Sequence, residues 1–204
     1  MIGLIIALNI QLISVPGEYG VSHEIAREIA VEAGKVYERE FGFGTVIKKQ
    51  YRPARDRCGR ARNLNKAYRY YYCWWRSTAS AREHRKIVSV VVPPFGSNRR
   101  NPHRLYFYLG FNRGVYNRRH GDNPLSVSVA SLSAPSNDYS ESENFQRSKY
   151  VMVHEWGHAC GAVHTNTKYR IMNPGVSPGW SELAIKDDLQ FSELNRQKIK
   201  RHCS

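Results

Sequence analysis

Residues 154–164 read His154-Glu155-Trp156-Gly157-His158-Ala159-Cys160-Gly161-Ala162-Val163-His164. On a helix, His154 and His158 project from one face a turn apart, so both imidazoles can grip one metal ion. Glu155 stands beside the first of them, where a carboxylate can reach a water on that ion without itself ligating. A third ligand on the same straight helix would point away. Gly161 can take a positive φ, stop the helix and turn the chain back, which brings His164 to the other two. Three neutral imidazoles with one position left open suit a catalytic zinc, since a structural zinc is closed by a fourth protein ligand. In a chain of this length the pattern arises by chance about once in ten thousand, so it is not a coincidence of surface histidines.

With Ile171-Met172-Asn173-Pro174 downstream, the stretch resembles the zinc signature and methionine turn of the metzincin clan of metallopeptidases, with Met172 as the turn methionine. The resemblance implies a zinc-dependent endopeptidase acting on protein or peptide substrates. His154, His158 and His164 would hold one zinc, and Glu155 would serve as general base to a water whose pKa the metal lowers towards about 7. It also implies an α+β catalytic domain: a mixed twisted sheet with one antiparallel edge strand, an active-site helix, the methionine turn and a C-terminal helix. Substrate would lie extended along the sheet edge at Leu105, Tyr106, Phe107, Tyr108 and Leu109. Trp180 falls in the loop that borders the specificity pocket in that clan, either as pocket wall or as a packed aromatic. Two departures stand out. Pro174 replaces the tyrosine that astacins and serralysins carry two residues after the methionine. His120-Gly121-Asp122 echoes the structural-zinc pair of matrix metalloproteinases, but Val127 to Ser133 has no histidine, which argues against a second zinc; a structural calcium is not expected either. Thr165, after the third ligand, assigns no subfamily.

The elements needed to carry this stretch are readable in order. Leu4 to Leu12 has the apolar run of a central strand. Ser22 caps a helix to about Phe41, with Ile25, Ile29, Ala33, Val36 and Tyr37 at helical spacing, and Gly42 stops it. Thr45-Val46-Ile47 begins a second strand, and the strand–helix–strand order predicts a parallel pairing. Ile87 to Val92, Leu105 to Leu109 and Leu125 to Val129 read as three more strands. Ser140 to Glu143 supplies caps for the long helix bearing the histidines, within which Met152 and Trp156 are expected core contacts. Asn173-Pro174-Gly175 and Ser177-Pro178-Gly179 predict a loop, and Ser192 starts a last helix to about His202.

Residues 1–204 read as one domain, with an insertion at about 52–85. An apolar share of 41% and a charged share of 24% exclude a disordered chain, and no apolar run is long enough to span a bilayer. Met1 to Val15 lacks a basic start and a small-residue cleavage site, so it reads as a buried strand rather than a signal peptide, and the compartment is left open. A monomer is expected. The net charge is +14, and the segment Val46 to Lys86 alone holds thirteen Lys or Arg against Asp56 and Glu83. Tyr51, Tyr68, Tyr70, Tyr71, Tyr72, Trp74 and Trp75 interleave with those cations. One reading is a solvated basic loop. The other is a surface for nucleic acid or another polyanion, and in its strongest form the whole chain is a metzincin-like binding module with weak or lost catalysis. The intact Glu155 favours the enzyme. Cys58, Cys73, Cys160 and Cys203 allow three pairings, among them Cys160 with Cys203, or four free thiols.

Overall fold

The computed structural model describes residues 7–14, 23–49, 86–92, 110–115, 125–131, 139–175 and 177–203. The insertion at 52–85, Cys58, Cys73, Leu105 to Leu109, His120 and Asp122 lie outside the described residues. So does most of the basic segment 46–86.

Five strands form one mixed sheet: β1 (Ala7–Ser14), β2 (Gly44–Lys49), β3 (Lys86–Val92), β4 (Gly110–Val115) and β5 (Leu125–Ser131). Their spatial order is β2-β1-β3-β5-β4. The pairs β1–β2, β1–β3 and β3–β5 are parallel, and β4 runs antiparallel to β5 at the edge. The expected crossover is present, since α1 (His23–Phe41) connects two parallel neighbours. The edge strand lies at Gly110–Val115, just beyond the stretch 105–109 that composition favoured. Gly110, Asn112 and Gly114 have little intrinsic preference for strands, so the ladder with β5 sets this conformation.

Alternation on β1 sends Leu8, Ile10 and Leu12 into the core. Above them α1 lays Ala26, Ile29, Ala30, Ala33, Val36 and Tyr37. Ile25, expected in this stripe, is exposed instead, because the buried face begins at Ala26. The small alanines let the helix sit close to the sheet.

The helix α2 (Glu141–Ala159) packs beside α1 and against β5 and carries the first two histidines. Its start is a capping box: the Ser140 hydroxyl accepts the Glu143 N–H, and the Glu143 carboxylate accepts the Ser140 N–H at 2.7 Å. Such a cap is worth about 1 kcal/mol. Two buried polar contacts fix the helix laterally. Trp156 Nε1 donates to Ser89 Oγ on β3 at 3.0 Å, and the Tyr37 hydroxyl on α1 donates to the Val153 carbonyl at 3.2 Å. Met152 and Trp156 are fully buried, as expected for core contacts.

Beyond Met172 the chain forms α3 (Pro178–Ile185) and α4 (Glu193–Cys203). The stretch Ser177-Pro178-Gly179, read from sequence as loop, is the start of α3. Ser177 accepts the Trp180 N–H as N-cap, and Pro178 occupies a first-turn position where its missing N–H costs nothing. Cys160, at the end of α2, is disulfide-bonded to Cys203, the last residue of α4. Among the described residues no helix is long and apolar enough to cross a membrane.

Candidate metal centre

The end of α2 shapes the site. Gly161 has φ +83°; its N–H donates to the His158 carbonyl at 3.0 Å and the Ala162 N–H donates to Gly157 at 2.9 Å. These are the two bonds of a Schellman termination, and Ala162 just after the glycine is buried. The chain then folds back on α2, as the glycine predicts. The returning Ala162 carbonyl lies 3.0 Å from His158 Nδ1. The Ile171 carbonyl, just before the turn methionine, lies 2.6 Å from His154 Nδ1.

A carbonyl only accepts, so both Nδ1 atoms carry the proton and both Nε2 atoms present lone pairs. Those lone pairs face one another. His158 Nε2 is 3.0 Å from His154 Nε2 and 3.0 Å from His164 Nε2. Two unprotonated nitrogens so close repel unless a cation lies among them, and the three residues form a group that can hold a metal ion. Burial, then the neighbouring His158 ring, pushes the His154 pKa down to about 3, and burial lowers that of His158 as well. Both rings are therefore neutral at neutral pH, which is the ligating form.

Glu155 sits between these ligands in sequence and is 4% exposed. Burial pushes its carboxyl up to about 8. A carboxyl kept from bulk water holds its proton more tightly than an exposed one, and a cation at the neighbouring histidines would oppose that shift.

Met172 is fully buried and accepts the Thr165 N–H at its carbonyl, 2.9 Å away. Its turn is held by the Ile171 N–H, which donates to Gln190 at 3.0 Å, and by the Asn173 amide, which donates to Thr167 at 3.2 Å. Trp180 is 2% exposed and edge-on to Tyr150, at 6.5 Å between centroids, so its ring packs in the core. His202, near the end of α4, is exposed. It lies over Gly161, where an added Cβ would stand 2.8 Å from its ring.

Two residues with clear structural roles escape sequence reasoning. Gly157 stands in mid-helix, where glycine costs about 1 kcal/mol relative to alanine, and that cost was the available signal. Asn195 gives no sequence signal at all: a polar residue in a charged helix reads as solvated, yet it is fully buried.

No protein-family model and no curated protein matches the sequence. Solved structures do match by shape. Archaemetzincin from Methanopyrus kandleri is 16% identical with a TM-score of 0.56, over 99% of this chain and 98% of that one. A zinc-dependent peptidase from Methanocorpusculum labreanum is 15% identical with a TM-score of 0.52, over 94% of this chain and 99% of that one. Metalloproteinase-II from Bacteroides fragilis is 13% identical with a TM-score of 0.53, over 98% of this chain but only 53% of that chain, so the present chain spans about half its length. At these identities the likeness is one of fold alone.

Proposed function

We propose that this protein is a zinc-dependent endopeptidase of metzincin type. The observation that carries the reading is the convergence of His154, His158 and His164 through Nε2, with two of the three tautomers fixed by backbone carbonyls. These donors fit zinc, which accepts neutral imidazole in sets of three and leaves a place for water or substrate. Zinc bound there would supply Lewis-acid activation of water and of the scissile carbonyl. The chain supplies the rest. Glu155 takes the proton from the attacking water and returns it to the leaving amine, from a carboxyl buried on the metal-bearing helix. A peptide would bind extended along the outer edge of the sheet, where β4 is the last described strand, with Leu105 to Leu109, just before β4 in sequence, as the candidate subsite stretch.

The test is cleavage of casein or of a proteome-derived peptide library, with and without chelator. Glu155→Ala is expected to keep its zinc and to lose at least about a hundredfold in rate, the scale of general-base catalysis. Equal loss of zinc and activity would remove Glu155 from that role.

A further inference from the structure

The third ligand is held differently from the other two. His154 and His158 lie on α2, and each ring is steered by a backbone carbonyl at Nδ1. His164 lies in a segment without regular secondary structure and is exposed; among the described residues no group bonds its Nδ1. Its neighbour Val163 is 41% exposed, so apolar burial does not anchor it either. The backbone on each side of His164 is nevertheless fixed. After it, the Thr165 N–H donates to the Met172 carbonyl at 2.9 Å. Before it, Val163 is gripped by one side chain: Asn195 Oδ1 accepts the Val163 N–H at 2.9 Å, and Asn195 Nδ2 donates to the Val163 carbonyl at 3.0 Å.

A primary amide offers an acceptor and a donor side by side. It can therefore satisfy the N–H and C=O of one residue together, as a neighbouring strand does in an antiparallel ladder. Leucine would match its size and offer neither group, whereas aspartate would keep only the acceptor. Asn195 is fully buried on a helix that is itself well fixed. The buried Ile199, an ion pair from Arg196 to Glu40 at 2.8 Å, and the Cys160–Cys203 disulfide all hold α4 against the body. A well-held helix thus presents its amide to the irregular stretch that bears the ligand.

We propose that Asn195 is a positioning residue for the metal centre, setting where His164 presents its imidazole by clamping both backbone polar groups of Val163. The inference rests on the zinc reading above. It assigns α4, which contributes no ligand, a share of the metal affinity.

The experiment measures zinc affinity of the full chain by competition with a chromophoric chelator, each variant being checked for folding by circular dichroism without metal. Asn195→Asp and Asn195→Leu should each bind zinc about tenfold or more weakly than wild type, the scale of losing a group that orients a ligand. Ile199→Ala, which loosens the same helix without touching Val163, should keep wild-type affinity. In a His164→Ala background Asn195→Asp should cost no further affinity, because the ligand it positions is gone. The proposal is overturned if folded Asn195 variants bind zinc like wild type, or if Ile199→Ala loses as much. It is equally overturned by an undiminished loss in the His164→Ala background. Failure of Asn195→Asp to fold while Ile199→Ala folds would make the amide a requirement of the fold and also overturn it. A wild type that binds no zinc would instead defeat the zinc reading itself.

Discussion

The sulfur of Met172 fills the space that a side chain at Gly157 would need. A Cβ on Gly157 would stand 2.8 Å from Met172 Sδ and 3.1 Å from Phe191 Cε1, both on fully buried residues. The turn methionine therefore presses directly on the backbone of the metal-bearing helix, between His154 and His158. The glycine is what allows that approach.

Gly157→Ala should consequently destabilise the protein. On an open helix the change would stabilise by about 1 kcal/mol, but overpacking a filled core costs about 1–3 kcal/mol, and here the second effect wins. Urea unfolding of the metal-free protein measures it. Adding Met172→Ala should recover part of the loss, since the two residues compete for one space. A more stable Gly157→Ala would contradict the contact.

A second prediction concerns Asp187, which ends α3 at φ +58°. It accepts Lys149 at 2.6 Å, the Tyr150 hydroxyl at 2.7 Å and Arg39 at 2.9 Å, tying α1, α2 and α3 together. Burial alone would raise its carboxyl pKa, but the three donors outweigh burial and hold it below the ordinary 3.8. A pKa lower in the folded than in the unfolded state stabilises above the unfolded value, and that stability is lost as pH falls through the folded value. Asp187→Asn suits the left-handed backbone and keeps the shape while removing the charge. Thermal melts should show the variant less stable than wild type at pH 7, with the gap closing below about pH 4. A gap of constant size across that range would mean that the charge contributes nothing.

How much of this was legible in sequence follows from the range of each interaction. The histidine spacing, the glycine turn and the Ser140 cap act within one or two helical turns, so residue order alone exposes them. The stripe on α1 is similarly local, and its one error, Ile25, lies in the first turn. What stayed hidden is decided across the fold. Asn195 meets Val163 from 32 residues away, and Asp187 collects donors from two other helices. Ser177-Pro178-Gly179 misleads for a different reason: residues that end one element also start another, and only packing chooses. The strand Gly110–Val115 has Phe111 and Val115 as its only β-formers, among Gly110, Asn112 and Gly114, and is held by its pairing with β5.

The disulfide encloses the third ligand and the methionine turn in one covalent loop, since Cys160 and Cys203 are 43 residues apart. Closing a loop of that length stabilises by about 4 kcal/mol through the unfolded state. Cys203→Ser should lower the denaturation midpoint accordingly, and reductant should reproduce the shift in wild type. An unchanged midpoint in both would show that the bond adds nothing to the stability of the folded chain.

The central claim is that His154, His158 and His164 together bind one zinc ion, and metal analysis after exhaustive dialysis addresses it most directly. Wild type should retain one equivalent of zinc, whereas His158→Ala, deprived of the imidazole that lies 3.0 Å from both of its partners, should retain none. Full stoichiometry and unchanged affinity in His158→Ala would contradict the account, because no three-histidine site survives the loss of its middle ligand untouched.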